Sequence, residues 1–408
     1  MHSPAGPSTR GIVTLVGALA AIYLVSQFLR NSVGVIAPDL ASEVGLNAAE
    51  IGLLSSAFFL AFAAAQIPLG IALDRYGPKR CMLICAAIAF AGTLVFALAT
   101  TPTGLVFSRI LMGLGSSCYL MAPLALYARR FPPKRFTSLA GIQMGIGSIG
   151  TLLVTAPLAW ASAEFGWRMT FLFVAALVVM CGSLVAIAVK EDPAVDLHRS
   201  SESLRESFAG VAQVVRLEGF WPIFWMQFVG YSSYVIIVGL WGGPYLAHVY
   251  GYSLTARGEL LMLPAIGQII GVLLWGQAER ISGNHKAFVL AGALATAAGL
   301  AILAALGKPD PSILVAWLAV FGLLPAFMPV LIAHGRSVLP PNLLGRGMTL
   351  LNIGSMGGVF VVQFVSGALI ELFPAPAGVY PVEAYQLVFG AQAAAIVCAS
   401  LLYLRIRR

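Results

Sequence analysis

Charge is what this chain has least of. Asp, Glu, Lys and Arg together make up 10% of 408 residues, against about 25% in an average soluble domain. Hydrophobic residues reach 59% and the mean hydropathy is +0.91. No soluble core of this length could hide so much apolar surface, whereas a bilayer can. Cysteine is sparse too: Cys81, Cys85, Cys118, Cys181 and Cys398 all fall in apolar segments and form no CxxC pair. They read as buried thiols rather than a disulfide framework or metal site. N-x-S/T sequons are absent, which favours a bacterial inner membrane. The one GxGxxG match, Gly145, Gly147 and Gly150, has no strand before it and lies inside an apolar helix. An ATP-driven pump or an enzyme is therefore not expected, and no cofactor is expected.

The formal charge of +8 invites a nucleic-acid reading, but its distribution argues against one. With the N-terminus placed in the cytoplasm, only Arg168, Arg257 and Lys308 fall on the far side, while Arg75, Lys79, Arg80, Arg129, Arg130, Lys190 and most others cluster inside. This is the positive-inside pattern, and it puts both termini in the cytoplasm. The apolar run from Gly11 is too long for a cleaved signal segment. Partners are then the lipid bilayer and a small molecule, with no nucleic acid, and a monomer is expected.

Runs long enough to span a membrane occur at 11–38, 50–73, 79–100, 103–129, 136–160 and 168–189, and again at 220–248, 256–278, 285–307, 311–337, 346–373 and 384–404. The pattern predicts an all-α integral membrane protein of twelve transmembrane helices in two pseudo-symmetric bundles of six. Residues 1–190 and 220–408 form the halves, and 191–219 a cytoplasmic linker. In that linker Ser203 and Glu206 form a capping pair, and Leu204, Phe208, Val211 and Val215 share one helical face. A short surface helix is predicted there, with a tether as the alternative.

Between the second and third runs lies GIALDRYGPKR, with Gly70, Asp74, Arg75, Gly77, Lys79 and Arg80. A charged turn between two membrane-length helices must lie at a membrane surface. A weaker echo follows 206 residues after Gly70, at Gly276, Glu279, Arg280, Gly283 and Lys286. Paired prolines, Pro132–Pro133 and Pro340–Pro341, likewise open matching helices in the two halves. The charged loop resembles the signature between helices 2 and 3 of the major facilitator superfamily. Arg109, Gly113 and Gly115 in RILMGLG resemble its helix-4 signature, and GWRMTF at Gly166 its usual start of helix 6. The resemblance covers nearly the whole chain. It implies alternating access between two six-helix repeats, with the substrate site at their interface near mid-bilayer.

Arg30 is the residue that points to a substrate. It lies eight residues before Pro38, about 12 Å into the helix, and an intramembrane arginine needs a partner. The sixteen acids all map to surfaces or loops, so no carboxylate is available at that depth. A guanidinium without a fixed counter-ion suits a substrate carboxylate or phosphate. The alternative is that helix carbonyls, Gln27, Asn31 or water satisfy it. Asn31, Gln143, Tyr231, Tyr234 and Asn352 are the other side chains expected at the site. Gln227, Tyr231, Tyr234, Trp241 and Tyr245 form one stripe on helix 7, and Gly239, Gly242, Gly243 and Pro244 weaken its outer end. Arg109 reads either as part of the moving machinery or as a buried brace. The superfamily's proton-coupled members carry an embedded acid, and this chain departs from that pattern. His334 could titrate but reads as interfacial. The expected function is secondary transport of a small organic anion. Efflux of amphipathic compounds and a transporter-like sensor are the alternatives.

Three further placements are expected. Gly141 with Gly145, and Gly354 with Gly358, should be small-residue faces where helices approach closely. Asp74 should sit beside the start of helix 11, near Gly345 to Gly347, as a cytoplasmic latch.

Overall fold

The computed structural model describes residues 9–190, 212–340 and 343–406, and these residues are helical nearly throughout. Twelve helical spans follow the predicted runs. α1 is broken into Thr9–Asn31 and Val33–Val44, α2 is Ala48–Tyr76 and α3 is Pro78–Leu98. α4 is Pro102–Ser116 with Cys118–Arg130, and α5 begins as Pro133–Leu153. The next unit, Ala156–Ala188, would be far longer than a bilayer is thick if straight. At Gly166 φ is +79°, a conformation that glycine adopts without a Cβ clash. There the chain reverses, so 156–165 complete α5 and 167–188 form α6.

In the second half, α7 runs through Phe220–Ile236, a π-helical stretch at Ile237–Trp241, and Gly242–Tyr250. α8 is Leu254–Ser282 and α9 is His285–Leu306. α10 combines Pro311–Phe321 with Met328–Val338, α11 is Leu344–Ile370 and α12 is Val382–Tyr403. The surface helix expected around Ser203 to Val211 lies outside the described residues.

The sequence writes many of these starts. Asn47 and Glu50 form a reciprocal capping box on α2, with bonds of 2.8 and 3.0 Å. Thr101, Ser253 and Asn284 cap α4, α8 and α9 through their side-chain oxygens. Pro at the first helical position opens α3, α4, α5 and α10, where the missing N–H costs nothing.

GWRMTF explains itself at the α6 start. The Gly166 turn lets the Trp167 indole N–H and the Arg168 Nε both donate to the Glu43 carboxylate, at 2.5 and 2.8 Å. Arg168 also donates to the carbonyls of Ala97 and Ala99 at the end of α3. Three helix ends are thereby clamped at one surface. Burial alone would raise the Glu43 pKa, but these donors outweigh it and hold it below the usual carboxylate value. The clamp therefore stabilises the fold above the ordinary carboxylate pKa, and its contribution fades as pH falls through the lowered one. Glu43→Gln should destabilise the fold at pH 7, by less than about 1 kcal/mol because the pair is half exposed. The gap between variant and parent should close in melts run towards pH 3. A gap that stays constant with pH would show that charge plays no part.

The halves meet at the end of the bundle that carries Asp39. There α1 crosses α7 with Gly34 against Val238 and Gly243, α2 crosses α11 with Gly52 against Gly367, and α5 meets α8 with Ala159 against Gly258. A Cβ on any of these glycines would collide with the facing backbone or side chain, which is why small residues stand there. Polar ties reinforce the seam. Arg257 of α8 pairs with Asp39 of α1 at 2.8 Å, and the Ala48 N–H donates to Glu371 and to the Tyr380 hydroxyl, each at 2.9 Å.

At the opposite end, a Cβ on Gly70, Gly141, Gly145 or Gly345 would meet nothing within 4 Å. The close-packed face expected at Gly141 and Gly145 is therefore not formed, since nothing packs on it. Gly147 and Gly150 are the α5 glycines that approach α1, beside Tyr23 and Leu24. Gly354 and Gly358 do make the expected close contact, against Phe224 and the Phe228 backbone of α7.

Candidate functional site

The site is built around the break in α1. A helix interrupted after Asn31 loses the bonds to its last carbonyls, and in a membrane interior those groups must be satisfied from within the protein. Arg109 of α4 does this, together with the Ser32 hydroxyl, which donates to the Leu29 carbonyl at 3.1 Å. Arg109 Nη1 donates to the Leu29 carbonyl at 2.5 Å and its Nη2 to the Arg30 carbonyl at 3.2 Å. Arg109 is fully buried. The brace reading of this residue is the one its contacts match: it fixes the backbone of Arg30 from below.

The Arg30 side chain leaves the same break in the other direction. It is 7% exposed. Its guanidinium carbon sits 4.8 Å from the centroid of the Phe62 ring, and Nη1 donates to the Tyr231 hydroxyl of α7 at 3.3 Å. Among the described residues no carboxylate pairs with it, and its Nε has no hydrogen-bond partner. Arg109 stands over Phe58 at the same 4.8 Å, and Phe58 and Phe62 stack on each other with centroids 6.2 Å apart. Two cations and two aromatic faces thus form one column along α2. Each cation–π contact contributes about 0.5–2 kcal/mol, more when dry, and screens positive charge without neutralising it.

Around that guanidinium, unpartnered polar groups accumulate. Gln27 Oε1, Asn31 Oδ1 and the Tyr234 hydroxyl are all buried without a hydrogen bond. The Asn31 amide donates to the Gln27 carbonyl at 3.3 Å, and its free oxygen faces Gly239 of the π-helical stretch. π segments recur at functional sites. Gln363 of α11, fully buried with neither amide atom bonded, stands elsewhere, where α11 crosses α2 at Gly52, and sequence reading passed it over. Its only signal is a glutamine within an apolar span.

Other expected site residues are not free. Gln143 donates to the Leu19 carbonyl at 2.9 Å and accepts from the Tyr127 hydroxyl at 3.1 Å, so its amide ties α5 to α1 and α4. Asn352 is half-buried on α11 and makes no hydrogen bond to the Arg30 group. The helix-7 stripe divides. Tyr231 alone meets Arg30, while Gln227 accepts from Ser355, Trp241 donates to Ser366 and Tyr245 to the Gly307 carbonyl. His334, expected at the interface, is buried inside the second half against the Tyr403 hydroxyl.

The charged loop forms the expected tight turn, with Gly77 at φ +82° leading into Pro78 of α3. Arg75 lies over the Tyr76 ring at 5.5 Å, and Lys79 and Arg80 open α3. The placement of Asp74 differs from expectation. Its carboxylate is held by Arg129 of α4 at 3.0 Å, within the same half, while Gly345 on α11 has open space beside it. Among the described residues the ion pair of Asp74 is with Arg129, so the latch to α11 is not made in this state.

This architecture and site can be set beside known proteins. The sequence model of the Major Facilitator Superfamily matches residues 19–276 and 223–408. The chain belongs to that superfamily.

Its superfamily relatives include a probable sulfoacetate transporter, SauU, of Cupriavidus necator, 24% identical over 64% of this chain and 63% of that protein. A gentisate transporter of Corynebacterium glutamicum is 26% identical over 83% of this chain and 76% of its own length. A hexuronate transporter of Bacillus subtilis is 23% identical over 62% of this chain and 61% of its own. The match thus spans under two thirds of the first and third of these relatives. Among solved superfamily folds, a bacterial homologue of the human lysosomal transporter Spinster, inward-facing and unoccupied, superposes with a TM-score of 0.80 at 18% identity over 97% of both chains. The nucleoside transporter NupG gives 0.78 at 15% identity, over 98% of this chain and all of that one. Superfamily membership makes this chain a multi-pass membrane transporter rather than an enzyme.

Proposed function

We propose that this protein is a secondary transporter that moves a small organic anion, a carboxylate or related acid, by alternating access. The observation that carries the reading is Arg30: a buried guanidinium at the meeting of the two halves, with no carboxylate beside it among the described residues. A mobile anion would complete it, with Tyr231, Tyr234 and Asn31 contributing polar contacts. The relatives' names support this reading, since sulfoacetate, hexuronates and gentisate are all acids. The halves are residues 1–190 and 220–408, linked by 191–219, and the protein works as a monomer in a bacterial inner membrane. Both termini face the cytoplasm, so the Asp74 end is cytoplasmic and the described state is closed to the outside.

Counterflow in proteoliposomes tests the function. Vesicles preloaded with galacturonate, sulfoacetate or gentisate should take up the same labelled acid with no imposed pH gradient, because no acid lies deep in the spans to carry a proton. Galactose should not be taken up. Equal uptake of the neutral sugar would end the anion reading, and an absolute need for a pH gradient in counterflow would end the uncoupled one.

A further inference from the structure

Arg257 was read from sequence as one of three basic residues on the outer surface, but the structure buries it. It is 4% exposed, held at 2.8 Å by an Asp39 carboxylate that is itself 37% exposed, and its Nε has no partner. The two residues belong to different halves. Opening the outer side, as alternating access requires, must pull Asp39 away from Arg257. Opening hydrates the guanidinium but forfeits the ion pair made in the closed state, so an anion that takes the place of Asp39 favours opening. Arg257 can offer one a fork, since Nε and an Nη lie in one plane and match the two oxygens of a carboxylate or sulfonate. Solvent reaches the pair from the Asp39 end, whose side chain is 37% exposed.

We infer that Arg257 is an external anion-binding site at the outer gate, where an incoming carboxylate or sulfonate displaces Asp39 and thereby unlocks the seam. The inference rests on the anion-transport reading and adds a second site to it, nearer the outside than Arg30. Asp39 acts there as a tethered competitor, present at a high effective concentration whenever the gate is shut. An anion outside then favours the outward-open state because it binds Arg257 only when Asp39 has left, which is the differential affinity that a population shift needs.

A thiol reporter at the seam reads this directly. Ser162, buried one turn beyond Ala159 on the α5 face that meets α8, is replaced by cysteine in the full chain. Its reaction with a membrane-impermeant maleimide is followed from outside, against the chain with its native cysteines alone. Galacturonate, sulfoacetate and gentisate serve as probes, with galactose as the neutral control. Labelling should be slow in buffer and with galactose, and should accelerate about tenfold with at least one acid. Arg257→Gln should abolish the acceleration, whereas Arg30→Gln should keep it even though counterflow is lost. Asp39→Asn, which leaves Arg257 in place, should lower the acid concentration for half-maximal labelling by about tenfold, as the tethered competitor is gone. An unchanged half-maximal concentration in Asp39→Asn would overturn the proposal. So would an Arg257→Gln chain that responds like the parent, or a parent with Arg30-dependent counterflow whose labelling no acid accelerates. In each of those cases the Arg30 reading stands. Loss of the response in Arg30→Gln alone would likewise assign the anion to Arg30 only.

Discussion

Arg30→Gln will melt at or slightly above the temperature of the parent and yet carry no anion. Two opposed effects set the melting temperature. The substitution removes the contact with the Phe62 ring and the weak bond to Tyr231, together about 1–3 kcal/mol. It also removes a charge that burial disfavours and that no carboxylate offsets, a relief of at least similar size. For binding there is no such balance. Losing the buried guanidinium of the central site should weaken affinity there by about 2–5 kcal/mol, or roughly thirty- to several-thousand-fold. Arg30→Lys keeps the charge without the planar fork and should bind acids more weakly while still rejecting neutral sugars. Melting curves with and without the best acid of the counterflow panel, for parent and both variants, decide the matter. Full stabilisation of the Gln variant by that acid would remove Arg30 from the site.

The opposite pattern is expected at Arg109. Its donors reach two buried carbonyls, those of Leu29 and Arg30; Leu29 keeps the Ser32 hydroxyl as a second partner, whereas a carbonyl left bare costs about 1–3 kcal/mol. Arg109→Gln can reach at most one of them. The expected result is a destabilisation of about 1–3 kcal/mol, with the lost Phe58 contact set against relief of the buried charge. Transport should fall in step with the folded fraction and with the loosened Arg30 backbone. Arg109→Lys, with a compact head in place of a fork, should recover part of the stability. An Arg109→Gln chain that melts and transports like the parent would show that the break in α1 is satisfied some other way. Comparing the two arginines is informative because they share one aromatic column yet should fail in different assays.

Much of this was legible in the sequence because a bilayer demands length and apolarity, and both are written plainly. Spans such as 285–307 and 384–404 match α9 and α12 to within two residues. The unpaired state of Arg30 was legible too, since the acids could be counted and placed. The break after Asn31 was not. No proline or glycine stands at 31 or 32, and the break depends on a partner 79 residues away. Phe58 and Phe62 looked like any apolar pair at helical spacing. Gln143 and Tyr231 look equally polar in sequence, yet packing gives one a bond at each end of its amide and leaves the other facing a cation. Asp74 was placed against α11 by reasoning suited to the other conformational state, and a single chain encodes both. Arg257 was misjudged because its depth comes from the closed seam, not from its distance along α8.

The brace beneath α1 also bears on how the protein is made. α1 emerges from the ribosome carrying an arginine near its middle and the Arg30 carbonyl without a partner, and the residue that satisfies it lies 79 positions downstream. At about 5–20 residues per second, that is a delay of about 4–16 s. During this interval the first span is a poor guest for lipid, and the translocation machinery or the aromatic face of α2 has to shelter it. Chains cut short before α4 should therefore be recognised as unfinished and degraded, whereas chains cut after it should persist.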